Sequence, residues 1–204
     1  KCRELAKEYP DIWIQSHVAE NLAEVAWVAE LFPHARSYLD VYAHYELLRP
    51  RAIYGHCIYL KEEDLKQMQQ SGASVAFCPS SNLFLGSGLL DRSRVCSYGV
   101  SMGIGTDIGA GTSYSILQTL GDAYKTQQLL GKPLSPDQAL YLATLGGAEA
   151  LGLDAYIGNF EVGKEADLVV LNPRATPLLQ RRMSLRTDPL DHFFAFCTLG
   201  DDRA

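Results

Sequence analysis

The sequence predicts an α/β fold built on a parallel sheet. Short apolar runs of strand length alternate with longer stretches of helical periodicity through residues 12–151. Chemically useful residues close three of those runs, His17, His56 and Asp107. In a parallel α/β fold, strand C-termini share one rim, so these residues are expected to meet there. A doubly wound sheet and a (β/α) barrel both fit the alternation. The doubly wound option lacks its phosphate fingerprint, since no G-x-G-x-x-G follows a strand and Gly103-Ile104-Gly105 lacks a third glycine. The four strands make half of a barrel, which takes about eight strands and roughly 250 residues.

The elements follow in order. Residues 1–9 have helical character, and Pro10-Asp11 breaks them. Residues 12–17 form a strand. Leu22, Val25, Ala26, Ala29 and Leu31 then recur at helical spacing, and Pro33 ends that helix. A tyrosine-rich helix over 37–48 precedes a short strand, Arg51–Gly55, that leads to His56. Residues 61–70 are helical, 73–77 a strand, 82–88 a loop with exposed apolar residues, 89–98 helical and 100–104 a fourth strand. A helix over roughly 113–130 follows the glycine-rich turn at 109–111. Ser135 and Pro136 cap the next helix, to about Leu145, and a short one covers 147–151. Past Gly152 the texture changes, and the alternating run Asp167–Leu171 reads as β-structure of a smaller unit. Residues 175–199 read as amphipathic helical pieces.

Composition excludes several function classes. Hydrophobic residues make up 47% and charged residues 21%, ordinary for a globular chain. A net charge of −6 argues against nucleic acid as a partner, because phosphate binding needs a basic stripe. No apolar run approaches the roughly 18–20 residues of a membrane span. The five cysteines, Cys2, Cys57, Cys78, Cys96 and Cys197, are irregularly spaced and odd in number. That pattern suits reduced thiols in a cytoplasmic protein and lacks the spacing of a thiolate zinc site.

The chemistry expected at the rim is metal-assisted hydrolysis. Imidazole and carboxylate groups bind zinc well, and a catalytic zinc leaves a position open for water. Zinc lowers the pKa of that water to about 7, and a carboxylate or histidine nearby takes its proton. Glu20, three residues beyond His17 where a helix begins, can face the same cavity and carry a proton to a leaving group. His34, His44 and His192 read as surface or packing residues, and Tyr38, Tyr42, Tyr45 and Tyr124 as packing residues. The Cys78–Leu83 loop either lines a substrate pocket or is an ordinary β–α turn.

With these residues laid out, the chain resembles the amidohydrolase superfamily, and within it the branch that deaminates guanine. The stretches that carry the resemblance are QSHVAENLAEVAWVAELFP, YGHCIYL, CPSSNLFLGSGLL, GIGTDIGAGTSYSIL and ATLGGAEALGLDAYIGNFEVGKEADLVVLNP. The resemblance implies a TIM barrel with a small β-sandwich, one zinc ion per site, guanine as substrate, and a homodimer. It implies that His17 and Asp107 are zinc ligands and that Asp107 also accepts a proton from the attacking water. Glu20 would relay protons to the purine and the departing amine, and His56 would polarise the water without binding metal. His17, Glu20 and Asp107 would also border the substrate.

Under this reading residues 1–151 are the C-terminal half of the barrel, 152–174 a piece of the β-sandwich, and 175–204 a helical segment packed on the barrel. The family's H-x-H pair and its purine-gripping Arg-Phe pair have no counterpart after Lys1. The chain is therefore expected to be a C-terminal portion, inactive alone. The competing expectations are another deaminase or a chlorohydrolase of the same superfamily, and a non-catalytic fragment that persists by association.

Overall fold

The structure, a computed structural model, describes residues 1–185 and 187–199. Helix α1 (Cys2–Glu8) precedes a four-stranded parallel sheet of β1 (Ile14–Val18), β2 (Ala52–His56), β3 (Ser74–Phe77) and β4 (Met102–Ile104). The strands lie side by side in sequence order. A doubly wound sheet reverses its order at a switch point, whereas a barrel winds one way. The uninterrupted β1-β2-β3-β4 order therefore selects the barrel type.

Between β1 and β2 lie α2 (Leu22–Leu31) and α3 (Tyr38–His44); between β2 and β3 lies α4 (Glu62–Ser71). Helices α5 (Pro79–Phe84) and α6 (Arg92–Ser97) connect β3 to β4. After β4 come α7 (Ile116–Leu129), α8 (Pro136–Ala143) and α9 (Leu145–Leu151), then α10 (Pro177–Met183) and α11 (Pro189–Leu199). Among the described residues no helix is long and apolar enough to cross a membrane.

Register gives the sheet two unlike faces. His17, Gly55, Ala76 and Gly103 pair in one row across all four strands, so they share a face. The neighbours of His17 in that row are thus a methyl group or hydrogen, which leaves room above the imidazole. Ala52, Tyr54, Val75, Phe77 and Met102 are buried and join Leu65 and Met68 of α4 in the main core. Helix α9 packs against β3 and β4. A Cβ on Gly103 would lie 2.9 Å from Gly147 Cα, and Trp13, just before β1, donates its Nε1–H to the Leu151 carbonyl at 2.8 Å. A side chain at Gly103 would push that helix away.

Three expectations need correction. Asn82–Phe84 is helical and not loop: Pro79 takes the first position of α5, where its fixed φ and missing N–H cost nothing. Helix α9 starts at Leu145, breaking from α8 at Thr144, where φ is −128° and ψ −100°. The β-structure expected over 158–171 forms no strand among the described residues. Val162, Val169 and Val170 stand 107%, 84% and 81% exposed, and an alternating run with no neighbouring strand cannot make a ladder.

The expected helical tail is seen as α10 and α11, which close a small core of Leu179, Met183, Ala195 and Phe196. Phe194 of α11 packs edge-on against Tyr124 of α7 at 4.9 Å. Residues 186 and 200–204 of that expected segment lie outside the described residues.

Candidate active site

Three of the four strand ends, those of β1, β2 and β4, contribute a group, and a left-handed backbone turn lies at or just after each. His17 is the fourth residue of β1. Tyr42 Oη donates to its carbonyl at 2.9 Å and lies 2.7 Å from Ser16 Oγ, so α3 holds the end of β1 in place. Ala19 then takes a left-handed φ of +49°. Its carbonyl accepts the Tyr59 N–H at 3.1 Å, and the Val18 carbonyl accepts the Cys57 N–H at 3.0 Å. A non-glycine residue in that region costs about 1–3 kcal/mol and persists only where its surroundings enforce it.

The turn at Ala19, not a helical turn, is what swings Glu20 back over the strand ends. Asn21 caps α2 by accepting the Glu24 N–H at 2.9 Å, and Glu24 Oε2 in turn accepts the Glu20 N–H at 2.9 Å. Glu20 is therefore held by backbone immediately before the helix.

His56 ends β2 with φ +68°, and Asp107 follows β4 with φ +49°. His56 is 1% exposed. Its Nδ1 lies 2.8 Å from Asn82 Oδ1, and its Nε2 faces Glu20 Oε2 at 3.6 Å and Asp107 Oδ2 at 3.9 Å. Those last two distances exceed a hydrogen bond, so the groups converge without consuming one another. The His17 ring meets His56 edge-on with centroids 5.2 Å apart. All four residues expected at the rim, His17, Glu20, His56 and Asp107, are thus brought together.

His17, His56 and Asp107 each offer a ligand atom, and these atoms lie within 4.8 Å of one another. No other such group of three occurs among the described residues. The donor set is imidazole nitrogen plus carboxylate oxygen, which fits a transition metal such as zinc better than the all-oxygen shells of calcium or magnesium. Thiolate chemistry is not on offer. Burial pushes the Cys78 thiol up to about 12, and the Asp107 carboxylate adds to the effect. Burial likewise holds the Cys57 thiol well above its ordinary range. A thiol held protonated is a poor nucleophile, and neither cysteine is among the clustered ligand atoms.

Sequence reasoning missed the supporting roles of Ser87 and Tyr42, and it offered Asn82 only within the Cys78–Leu83 segment that either lines a pocket or turns. Asn82 and Ser87 reach the site from one short segment, with Ser87 Oγ donating to Glu20 Oε1 at 2.7 Å. Tyr42 was read as packing alone, and it does stack on Tyr38 at 5.9 Å, but its hydroxyl also serves His17. Their only signal in the sequence is nearness to strand ends. Of the other tyrosines, Tyr45 meets the ring of His44 on the outside of α3.

The chain can now be set beside known proteins. Residues 1–196 match the Amidohydrolase family. The guanine deaminase of Escherichia coli (strain K12) is 50% identical over 200 residues, spanning 98% of this chain and 46% of that protein. The solved E. coli guanine deaminase superposes with a TM-score of 0.96 over 98% of this chain and 47% of its own length. A guanine deaminase from C. acetobutylicum, solved with guanine bound in its active site, gives 0.85 at 29% identity, covering 98% of this chain and 48% of its own. An adenosine deaminase from Xanthomonas campestris, solved with zinc, gives 0.81 at 30% identity over 98% of this chain and 44% of its own. The chain spans about half the length of the curated relatives it matches. The fold expected from the sequence, α/β of the metal-dependent hydrolase barrel type, is the fold found. On the family match over nearly its whole length, the chain belongs to the amidohydrolase family.

Proposed function

We propose that the protein carrying this chain hydrolyses guanine to xanthine and ammonia. The observation that carries the reading is the convergence of His17, Glu20, His56 and Asp107 at one rim. Two carboxylates and two imidazoles in contact range supply what replacement of an amine by water needs, proton acceptors and donors on both sides of the reacting carbon. The relatives named above supply the choice of guanine.

His17 and Asp107 would hold a zinc ion, which when bound supplies Lewis-acid activation of water. The remaining chemistry belongs to side chains. Asp107 accepts a proton from the attacking water at its carboxylate. His56 Nε2, at the open end of a ring pinned through Nδ1, hydrogen-bonds that water and orients it. Glu20 passes a proton to the purine ring nitrogen as the C–O bond forms. That proton is the one Asp107 took from the water, and Glu20 then takes the proton of the new hydroxyl and hands it to the amine as the C–N bond breaks, so one water is consumed and one ammonia leaves. His17, Glu20 and Asp107 border the purine.

Residues 1–151 are then barrel, 152–174 part of a small β-sandwich whose pairing strands lie elsewhere in the protein, and 175–204 a helical segment on the barrel. A homodimer in the cytoplasm completes the reading. The free state of Cys2, Cys57, Cys78, Cys96 and Cys197 suits such a reducing compartment. The direct test is incubation of the purified full-length protein with guanine, following xanthine by absorbance and ammonia by a coupled assay. Turnover of another amino-heterocycle with guanine inert would overturn the substrate.

A further inference from the structure

We propose that Asn82 and Ser87 form one positioning clamp that sets His56 and Glu20 against each other. The proposal rests on the deaminase reading for its kinetic consequences only. Its structural basis is a closed circuit of hydrogen bonds. Asn82 Oδ1 lies 2.8 Å from His56 Nδ1, and Ser87 Oγ donates to Glu20 Oε1 at 2.7 Å. The two clamp residues are themselves tied, since the Ser87 N–H donates to the Asn82 carbonyl at 2.9 Å. Tyr59 Oη donates to the Ser87 carbonyl at 2.8 Å, and the Tyr59 N–H returns to the Ala19 carbonyl beside Glu20. The circuit thus runs from Glu20 through Ser87 and Tyr59 back to the turn that aims Glu20.

Burial makes the clamp rigid. Asn82, Ser87 and His56 are 1%, 5% and 1% exposed. Space behind the serine is closed as well, because a Cβ on Gly88 would lie 2.5 Å from the Tyr59 hydroxyl. Each clamp bond consumes one atom of the group it serves and leaves the other facing the site. For Glu20, Oε1 is occupied and Oε2 faces His56; for His56, Nδ1 is occupied and Nε2 faces the carboxylates. With Asn82 Oδ1 as partner, the matching His56 tautomer is the one protonated on Nδ1, with a lone pair at Nε2. Ser87 and Asn82 touch neither water nor purine in this scheme; they act through Glu20 and His56.

The test compares Ser87→Ala, Ser87→Thr, Asn82→Leu and the double variant S87A/N82L in the full-length protein. A hydrogen bond to a charged group is at stake, so S87A is expected to lower kcat by about tenfold with KM little changed. Ser87→Thr, which keeps the hydroxyl, is expected to restore most of kcat. The double variant is expected to lose little more than the worse single variant, as for residues acting as a unit. Nitrogen NMR of the His56 ring is expected to show the Nδ1–H tautomer in the parent and in S87A, and its loss in N82L.

Wild-type kcat in S87A would overturn the clamp, as would threonine failing to rescue while melting temperature falls equally in both variants. Additive losses in the double variant would also overturn it. If the parent protein leaves guanine untouched, the deaminase reading fails, and the tautomer readout alone then decides the clamp.

Discussion

Gly111 donates its backbone N–H to the Asp107 carbonyl at 2.5 Å, closing the tight turn that holds Asp107 at φ +49°. Any side chain at 111 would run into the Thr106 carbonyl oxygen, so the turn tolerates only glycine there. Gly111→Ala is expected to displace Asp107 from His56 and His17. Zinc retained after desalting should fall below half of the parent value, and ammonia release should drop by more than about 100-fold. Stability should fall as well, by about 1–3 kcal/mol, because Gly111 is buried and the added methyl meets backbone. Metal analysis beside denaturant unfolding checks both halves; full metal content would refute the link between turn and ligand.

Tyr42→Phe keeps the ring against Tyr38 and Tyr54 and removes only the hydroxyl that serves Ser16 and His17. Outer partners that fix a metal ligand typically change affinity by about 10–100-fold when removed. The expected outcome is weaker zinc binding in a competition titration with a chromogenic chelator, together with a stability loss of about 1 kcal/mol. Unchanged affinity would return Tyr42 to a packing role.

The buried thiols give the protein an alkaline limit. Burial raises Cys78 to about 12, with Asp107 adding to it, and burial raises Cys197 to about 12. A group whose folded pKa lies above its unfolded value contributes stability that is complete below the unfolded pKa, near 8.5 for a thiol. That contribution is lost as pH rises through the folded value, because the unfolded chain releases the proton first. Unfolding free energy is therefore expected to decline from about pH 9 upward. Replacing Cys78 and Cys197 with alanine should flatten that decline. In the native state at neutral pH a thiol reagent should modify Cys2 and Cys96, the exposed pair, and spare Cys57, Cys78 and Cys197.

The strand ends were legible because their signals are local. An apolar run closed by His17, His56 or Asp107 states both an element and a candidate site group within a few residues, and parallel topology brings the ends together. The supports were not legible. Ser87 meets Glu20 across 67 residues and Asn82 meets His56 across 26, and neither separation follows any period. The turn at Ala19 was also hidden, since alanine gives no hint of a left-handed φ. The alternating run Asp167–Leu171 misled for a related reason: alternation states which faces a strand would show, and pairing depends on a neighbour outside the run. At Asn82–Phe84, exposed Leu83 and Phe84 argued for loop, while Pro79 at the helix start decided otherwise.

Glu20 separates the chemistry from the metal. In the proposed mechanism its side chain belongs to the proton path and to the Ser87 clamp, and it is outside the group of His17, His56 and Asp107 whose ligand atoms cluster. Glu20→Gln keeps the shape and can still accept from Ser87 Oγ, but it cannot carry a proton. Zinc content and melting temperature are expected to match the parent, while kcat for ammonia release falls by about 100-fold or more. His17→Ala is expected to reverse the pattern, losing zinc and activity together, with excess zinc restoring part of the rate. A Glu20→Gln protein that loses its zinc would show Glu20 acting as a ligand, and the division of labour at the end of β1 would have to be redrawn.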